Sequence, residues 1–230
     1  EGAAGLPLPG LYALTAARYM DVHGLTLEQL AAVAVKNKTN GVDNPRAHLR
    51  REPPTIEQVL RSRPIADPLT MLQCCPTTDG AGAMVIGTGR RTARDVLVES
   101  SAMVSGKPWD QRNDDVWGFR CVQRAGQQAL ADAGRLIGEI DLFEVHDAFT
   151  IGEITTLEAL GVADEGKGGD LAVSGHTARS GAQPVNPSGG LLSRGHPLGA
   201  TGTAQLAEVV WQLRGEAGGP VATDRDVGDV

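Results

Sequence analysis

The chain has 230 residues, 41% of them hydrophobic and 21% charged, an ordinary globular balance that excludes a disordered chain and supports a buried core. Its formal charge of −7 argues against nucleic acid or an anionic membrane surface as a partner. Its 30 glycines lack a Gly-X-Y period, which excludes collagen, and no apolar run approaches the roughly 18 residues of a membrane span.

The first ten residues are rich in Gly and Pro and read as a loop. A helix is expected from Leu11 to Met20, stopped by Gly24. Thr26-Leu27-Glu28-Gln29 is a capping box, in which the Thr hydroxyl takes an orphan amide and Gln29 reaches back. Leu27, Leu30, Ala31 and Ala34 then share one face, and Asn40-Gly41 and Asn44-Pro45 end that helix. A second capping box, Thr55-Ile56-Glu57-Gln58, opens a short helix to about Ser62. Between Lys36 and Arg63, seven Lys or Arg stand against Asp43, Glu52 and Glu57, a net +4 on an acidic chain. Such an island suits a small anionic ligand, or equally a solvated face. These first 65 residues read as an excursion without a core of their own.

Near residue 66 the texture changes. Asp79 to Ile86 is a Gly/Ala-rich stretch running into a strand, and Leu97 to Val104 reads as another strand. Residues 118–134 read as a helix with Ala125, Ala129, Leu130 and Ala133 on one face. Ile140 to Val145 reads as a short strand, followed by a helix from Phe149 to Leu160 that Gly161 ends. Residues 161–190 read as one long Gly/Ser/Asn/Pro loop, of the kind that carries function or moves. Thr201 to about Arg214 is the clearest helix, with Leu206, Val209, Val210 and Leu213 on one face. Strands alternating with helices give an α/β class. The tail from residue 220 is too charged for a buried strand.

Three cysteines, Cys74, Cys75 and Cys121, cannot all be paired, and adjacent Cys74 and Cys75 are a poor geometry for a mutual disulfide. No Cys/His spacing resembles a zinc site, so no metal is expected. The cysteine usage reads as a reducing, cytoplasmic compartment, and no secretory signal stands at the N-terminus.

Two segments could carry chemistry. The first is Asn186-Pro187-Ser188-Gly189-Gly190 followed by Gly195-His196-Pro197-Leu198-Gly199-Ala200-Thr201-Gly202. Its glycines let backbone approach a ligand closely. The helix start supplies free amides and partial positive charge. A histidine there can donate to an oxygen that becomes negative, half of an oxyanion hole. A tight turn with a capping histidine explains the same letters. The second is Glu144-Val145-His146-Asp147-Ala148-Phe149, where a strand ends and a helix begins, the usual place for ligands in open α/β sheets. Glu144 or Asp147 could orient the His146 ring, and a buried structural histidine is the alternative.

Together these segments resemble the thiolase superfamily, in its sterol-carrier-protein branch. His146-Asp147-Ala148-Phe149 resembles that branch's HDxF motif, where other thiolases have NEAF. Gly195-His196-Pro197 matches the GHP motif letter for letter, within a similar Asn186–Gly202 segment. Leu72 to Ala83, with Cys74-Cys75-Pro76, is similar to the family's CCPxxDGAAA stretch. Tyr19-Met20 through Asn44-Pro45 looks like the branch's loop region. The resemblance runs over roughly residues 11–218.

The resemblance implies two βαβαβαββ halves with five-stranded mixed sheets, and a reaction that makes or cleaves the C–C bond of 3-oxoacyl-CoA thioesters. It implies a helical loop region at 1–65, the end of an N-terminal half at 66–90, a C-terminal domain at 91–219 and an atypical tail at 220–230. His146 and His196 would shape the oxyanion hole. Asn186, Ser188, Gly189, Gly195, Gly199 and Phe149 would line the substrate. Coenzyme A would enter as substrate, with no resident cofactor, and the protein would be a homodimer. The family's nucleophilic cysteine matches none of Cys74, Cys75 or Cys121, and its closing Cys-x-Gly strand is not found after Gly219. One alternative is a retro-aldolase on 3-hydroxyacyl-CoA with steroid-like side chains, working with a small OB-fold partner and needing no cysteine. Another is a non-catalytic acyl-CoA or lipid-binding subunit.

Overall fold

The computed structural model describes residues 5–89, 92–106 and 119–218. The charged tail from residue 220 lies outside them, as does the expected first residue of the 118–134 helix.

The capping signals place the first helices. Helix α1 spans Leu8–His23 and stops at Gly24, whose φ of 69° is the left-handed region that glycine tolerates. Helix α2 spans Leu27–Val42 behind Thr26, whose side chain accepts the Gln29 amide at 3.2 Å while the Gln29 side chain accepts the Thr26 amide at 2.8 Å. The second box, at Thr55, opens α3, Ile56–Leu60. Strands β1 (Pro64–Ala66) and β2 (Leu69–Thr70) pair antiparallel, with Pro64 opposite Thr70 and Ala66 opposite Leu69. Helices α4 (Phe119–Ala133), α5 (Thr150–Leu160) and α8 (Thr201–Leu213) fall where the periodicity puts them.

Helices α1 and α2 have no core of their own and pack into that of the later helices. Ala16, Tyr19, Leu30, Val33 and Ala34 share one core with Ile151 and Ile154 of α5 and with Leu191 and Leu192. Leu191 and Leu192 belong to α7, Gly190–Arg194. A smaller cluster joins Phe143, Val145, Leu157 and Val185. Gly126 of α4 meets α5 so closely that a Cβ there would lie 2.6 Å from Leu160.

Four expectations are corrected. Asp79–Ile86 and Leu97–Val104 form no strand: Val85 is 99% and Met103 95% exposed, and no neighbouring strand among the described residues offers them a ladder. A strand, unlike a helix, cannot satisfy its amides locally. Ile140–Val145 makes a single parallel bridge, Phe143 to Val185, rather than a strand. The 161–190 loop contains a helix, α6, at Gly168–Val173. On α8 the apolar stripe is not the buried one: Leu206 and Leu213 are exposed, while Thr201, Glu208 and Gln212 are buried. On that face Gln212 Nε2 donates to Glu208 at 2.9 Å. The sheet among the described residues is therefore narrower than five strands, and helices dominate.

Candidate functional site

Three segments far apart in sequence meet. The Cys75 amide donates to the Ala148 carbonyl at 2.8 Å, and the His196 amide donates to the Pro76 carbonyl at 3.1 Å. Isolated bridges at Cys74–Phe149 and Thr77–His196 mark the same alignment. The Cys74–Thr78 stretch thus lies between the turn that carries His146 and the turn that carries His196. The two imidazoles meet edge to face, with ring centroids 4.9 Å apart and an interplanar angle of 82°.

His146 is exposed and His196 is buried. Partial desolvation, and then the neighbouring His196, hold the His146 imidazole below the usual histidine range. Burial, and then the Arg194 guanidinium, do the same to His196. Both rings are thereby biased towards the neutral form, which can accept or donate a proton near neutral pH. His196 Nδ1 lies 2.7 Å from the Thr201 hydroxyl.

Neither flanking carboxylate hydrogen-bonds the His146 ring. Asp147 accepts the Leu191 amide at 2.7 Å and the Leu192 amide at 3.4 Å, so it caps α7. Glu144 takes the Ser188 amide at 3.0 Å and the Ser188 hydroxyl at 2.9 Å. Burial pushes Glu144 up to about 8, against the opposing pull of Arg194 and Ser188. Burial, and then Glu153, raise Asp147 in the same direction. The Arg194 guanidinium nitrogens are buried without a hydrogen-bond partner among the described residues.

A polar scaffold on α2 holds both turns. Asn37 Nδ2 donates to Asp147 at 2.7 Å and to Glu153 at 2.8 Å. Lys36 pairs with Glu153 at 2.7 Å and donates to the Val185 carbonyl at 2.9 Å. Lys38 donates to the Leu192 carbonyl and Asn40 to the Asn186 carbonyl. Lys36 and Lys38 are buried, so the basic island is not one surface patch; Arg50, Arg51, Arg61 and Arg63 remain exposed. Arg46 stacks over the Trp211 ring at 3.7 Å.

The expected substrate-lining residues divide. Asn186 has a φ of 52°, and its side chain accepts the Val145 amide at 2.9 Å and donates to Glu153 at 2.8 Å. Ser188 is held by Glu144, and its hydroxyl also accepts the Gly190 amide at 3.1 Å. Gly189 packs on Gly41, where a Cβ would lie 2.6 Å from the Gly41 Cα. Gly195, with φ 101°, packs on Thr78, while a Cβ on Gly199 would meet nothing within 4 Å. Phe149 is buried and stacks on Tyr12 at 4.4 Å. Most of these residues build the two turns from behind.

Sequence reasoning missed Asn37, Lys38, Tyr12 and Thr201. A signal was present for two of them. Asn37 and Lys38 continue the Leu30, Ala31, Ala34 face of α2 at helical spacing, which places them inside. Burial pushes the Cys74 and Cys75 thiols up to about 11 and about 12. Cys121 lies on α4, where a Cβ on Gly106 would fall 2.3 Å from its sulfur. Among the described residues no three His, Cys, Asp or Glu side chains are grouped to hold a metal ion. No described helix is long and apolar enough to cross a membrane.

Comparison with known proteins adds the lineage. Residues 102–228, more than half of the chain, match the family described as thiolase C-terminal domain-like. An acetyl-CoA acetyltransferase of Methanothermobacter thermautotrophicus is 46% identical over 222 residues, covering 95% of this chain and 58% of that protein. Sterol carrier protein 2 of Oryctolagus cuniculus is 38% identical over 219 residues, covering 91% of this chain and 40% of that protein. Among solved structures, the Ltp2-ChsH2(DUF35) aldolase superposes with a TM-score of 0.79 at 26% identity, covering 90% of this chain and 56% of that one. The chain spans about half the length of the curated relatives it matches. It belongs to the thiolase C-terminal domain-like family, with a thiolase-like fold.

Proposed function

We propose that the protein makes or cleaves the C–C bond of 3-oxoacyl-CoA thioesters by acyl transfer, with His146 and His196 facing the thioester oxygen. The edge-to-face imidazole pair, delivered by two turns that a shared scaffold fixes, carries this reading. Two imidazoles at one point can stabilise an enolate oxygen as charge develops, each through a ring nitrogen that carries a proton at that stage. Coenzyme A enters as a thioester substrate, and no resident cofactor is required. The acetyl-CoA acetyltransferase relative supports the acyltransferase class. A thiolase route needs an activated thiolate, and Cys74 and Cys75, held as thiols, do not supply it. Gly199 lies along the approach, with Asn186, Ser188, Gly189, Gly195 and Phe149 setting the shape of the turns behind it. The domain division at about residue 91, a homodimer and a cytoplasmic location complete the reading.

One observation favours a second reading. The aldolase that superposes at a TM-score of 0.79 supports a C–C lyase, which we read as a retro-aldolase on 3-hydroxyacyl-CoA with steroid-like side chains, beside a small OB-fold partner. Such cleavage needs a base and an enolate site but no cysteine. Product analysis on the intact protein separates the two. Acetyl-CoA plus a shortened acyl-CoA supports the acyltransferase; a ketone or aldehyde plus a CoA ester supports the aldolase. Binding of acyl-CoA without turnover of either substrate overturns both in favour of a lipid-binding subunit.

A further inference from the structure

We propose that Thr201 is a positioning residue that fixes neutral His196 as the Nδ1–H tautomer and leaves its Nε2 bare. The inference rests on the reading of His196 as a site residue only for its catalytic meaning; the tautomer itself follows from hydrogen-bond geometry. Thr201 opens α8 and is buried. Its hydroxyl lies 2.7 Å from His196 Nδ1 and 3.2 Å from the Pro197 carbonyl.

A hydroxyl has one hydrogen and accepts through its lone pairs. If that hydrogen goes to Nδ1, the Pro197 contact is lost, although that carbonyl keeps the Ala200 amide at 2.7 Å. If it goes to Pro197, Nδ1 must carry its own hydrogen and donate to Thr201. The second arrangement makes both contacts and the first makes one. A net hydrogen bond is worth a factor of about five in population. Burial beside Arg194 already disfavours the imidazolium, so the neutral form is the one whose tautomer matters.

The consequence concerns the order of events. A bare Nε2 accepts a proton before it can donate one. In the neutral state His146 is then the imidazole free to act as donor, and His196 becomes a donor only after it has been protonated. The pair would be asymmetric, although both residues are histidine.

The test is ¹⁵N NMR of the intact protein at a pH above the His196 titration. A pyrrole-type Nδ1 and a pyridine-type Nε2 are expected in the wild type. Thr201→Ser should keep that pattern, and Thr201→Val should shift it at least fivefold towards Nε2–H. A wild-type Nε2–H signal overturns the proposal, and so does a Thr201→Val protein that keeps Nδ1–H. Turnover of a 3-oxoacyl-CoA on the same samples separates the two claims. A shifted tautomer with unchanged turnover upholds the role of Thr201 and removes His196 from the proposed reaction.

Discussion

The Asp147 carboxylate accepts the Leu191 amide at 2.7 Å, which fastens the turn that carries His146 to the helix that delivers His196. A carboxylate at the first turn of α7 meets free amides and the positive end of the helix dipole. One residue therefore sets the spacing of two imidazoles from different parts of the chain, and the site can be probed through its supports as well as its rings.

The rings come first. His196→Ala should lower kcat by about 10²–10³-fold with a smaller change in KM, because a group aimed at a developing charge acts mainly in the transition state. His146→Asn should be milder than His146→Ala, since an amide can replace an imidazole donor and other thiolases carry asparagine at this motif position. Steady-state kinetics on a 3-oxoacyl-CoA decide it. Equal loss in the Asn and Ala proteins would make His146 a proton carrier rather than a donor.

The scaffold on α2 comes next. Lys36 and Glu153 are both buried and 2.7 Å apart. Lys36→Met should cost about 3–5 kcal/mol, the usual penalty for leaving one buried charge alone. Glu153→Gln in the same protein should recover most of that loss. Its amide oxygen can still accept from Asn37 and Asn186, and it carries no charge. Urea denaturation of the single and double variants completes the cycle. Additive losses would show that the pair is not coupled.

What could be read from sequence follows how local each interaction is. The capping boxes at Thr26 and Thr55 lie within four residues and stand in the structure as read. The two histidine turns were visible as motifs for the same reason. The extended stretches at Asp79–Ile86 and Leu97–Val104 were not, because their state depends on a neighbour that composition cannot name. Lys36 and Lys38 looked like surface charge. Their partners are the carbonyls of Val185 and Leu192, roughly 150 residues away along the chain. Thr201 was in view as a letter of the second motif, but its bond to His196 depends on how the chain turns at Pro197.

The glycines of the second motif can be separated by substitution. Gly190 has a φ of 58°, and a Cβ there would lie 2.2 Å from Asp147 Oδ2. Gly190→Ala should lose about 2 kcal/mol or more, from left-handed strain and from displacing the α7 cap. Gly199 has open space around its Cα and no positive φ. Gly199→Ala should leave stability unchanged, or raise it by about 0.4–1 kcal/mol through the unfolded state. Thermal melts measure both. If Gly199→Ala is stable yet raises KM, Gly199 lies against substrate; a large loss of stability would contradict the open space around it.

The last prediction concerns pH. Glu144 ordinarily titrates near 4.5 and is pushed up to about 8, with burial the largest cause. In the unfolded chain its carboxyl ionises near the ordinary value, whereas in the folded chain it keeps its proton until about 8. Between those values the folded state binds the extra proton, so stability falls as pH rises and the loss is complete above the folded value. Three pH units at about 1.36 kcal/mol each set a ceiling of roughly 4 kcal/mol between pH 5 and 8. Glu144→Gln removes the titration. Its side-chain oxygen still accepts the Ser188 amide, and its amide group can donate to the Ser188 hydroxyl. Asp147, raised in the same direction, stays in both proteins and cancels in the comparison. Denaturation midpoints at pH 5 and pH 8 should show the wild type losing more stability than the variant. Curves that run parallel would mean Glu144 is ionised in the folded protein, with Arg194 as the charge that holds it so.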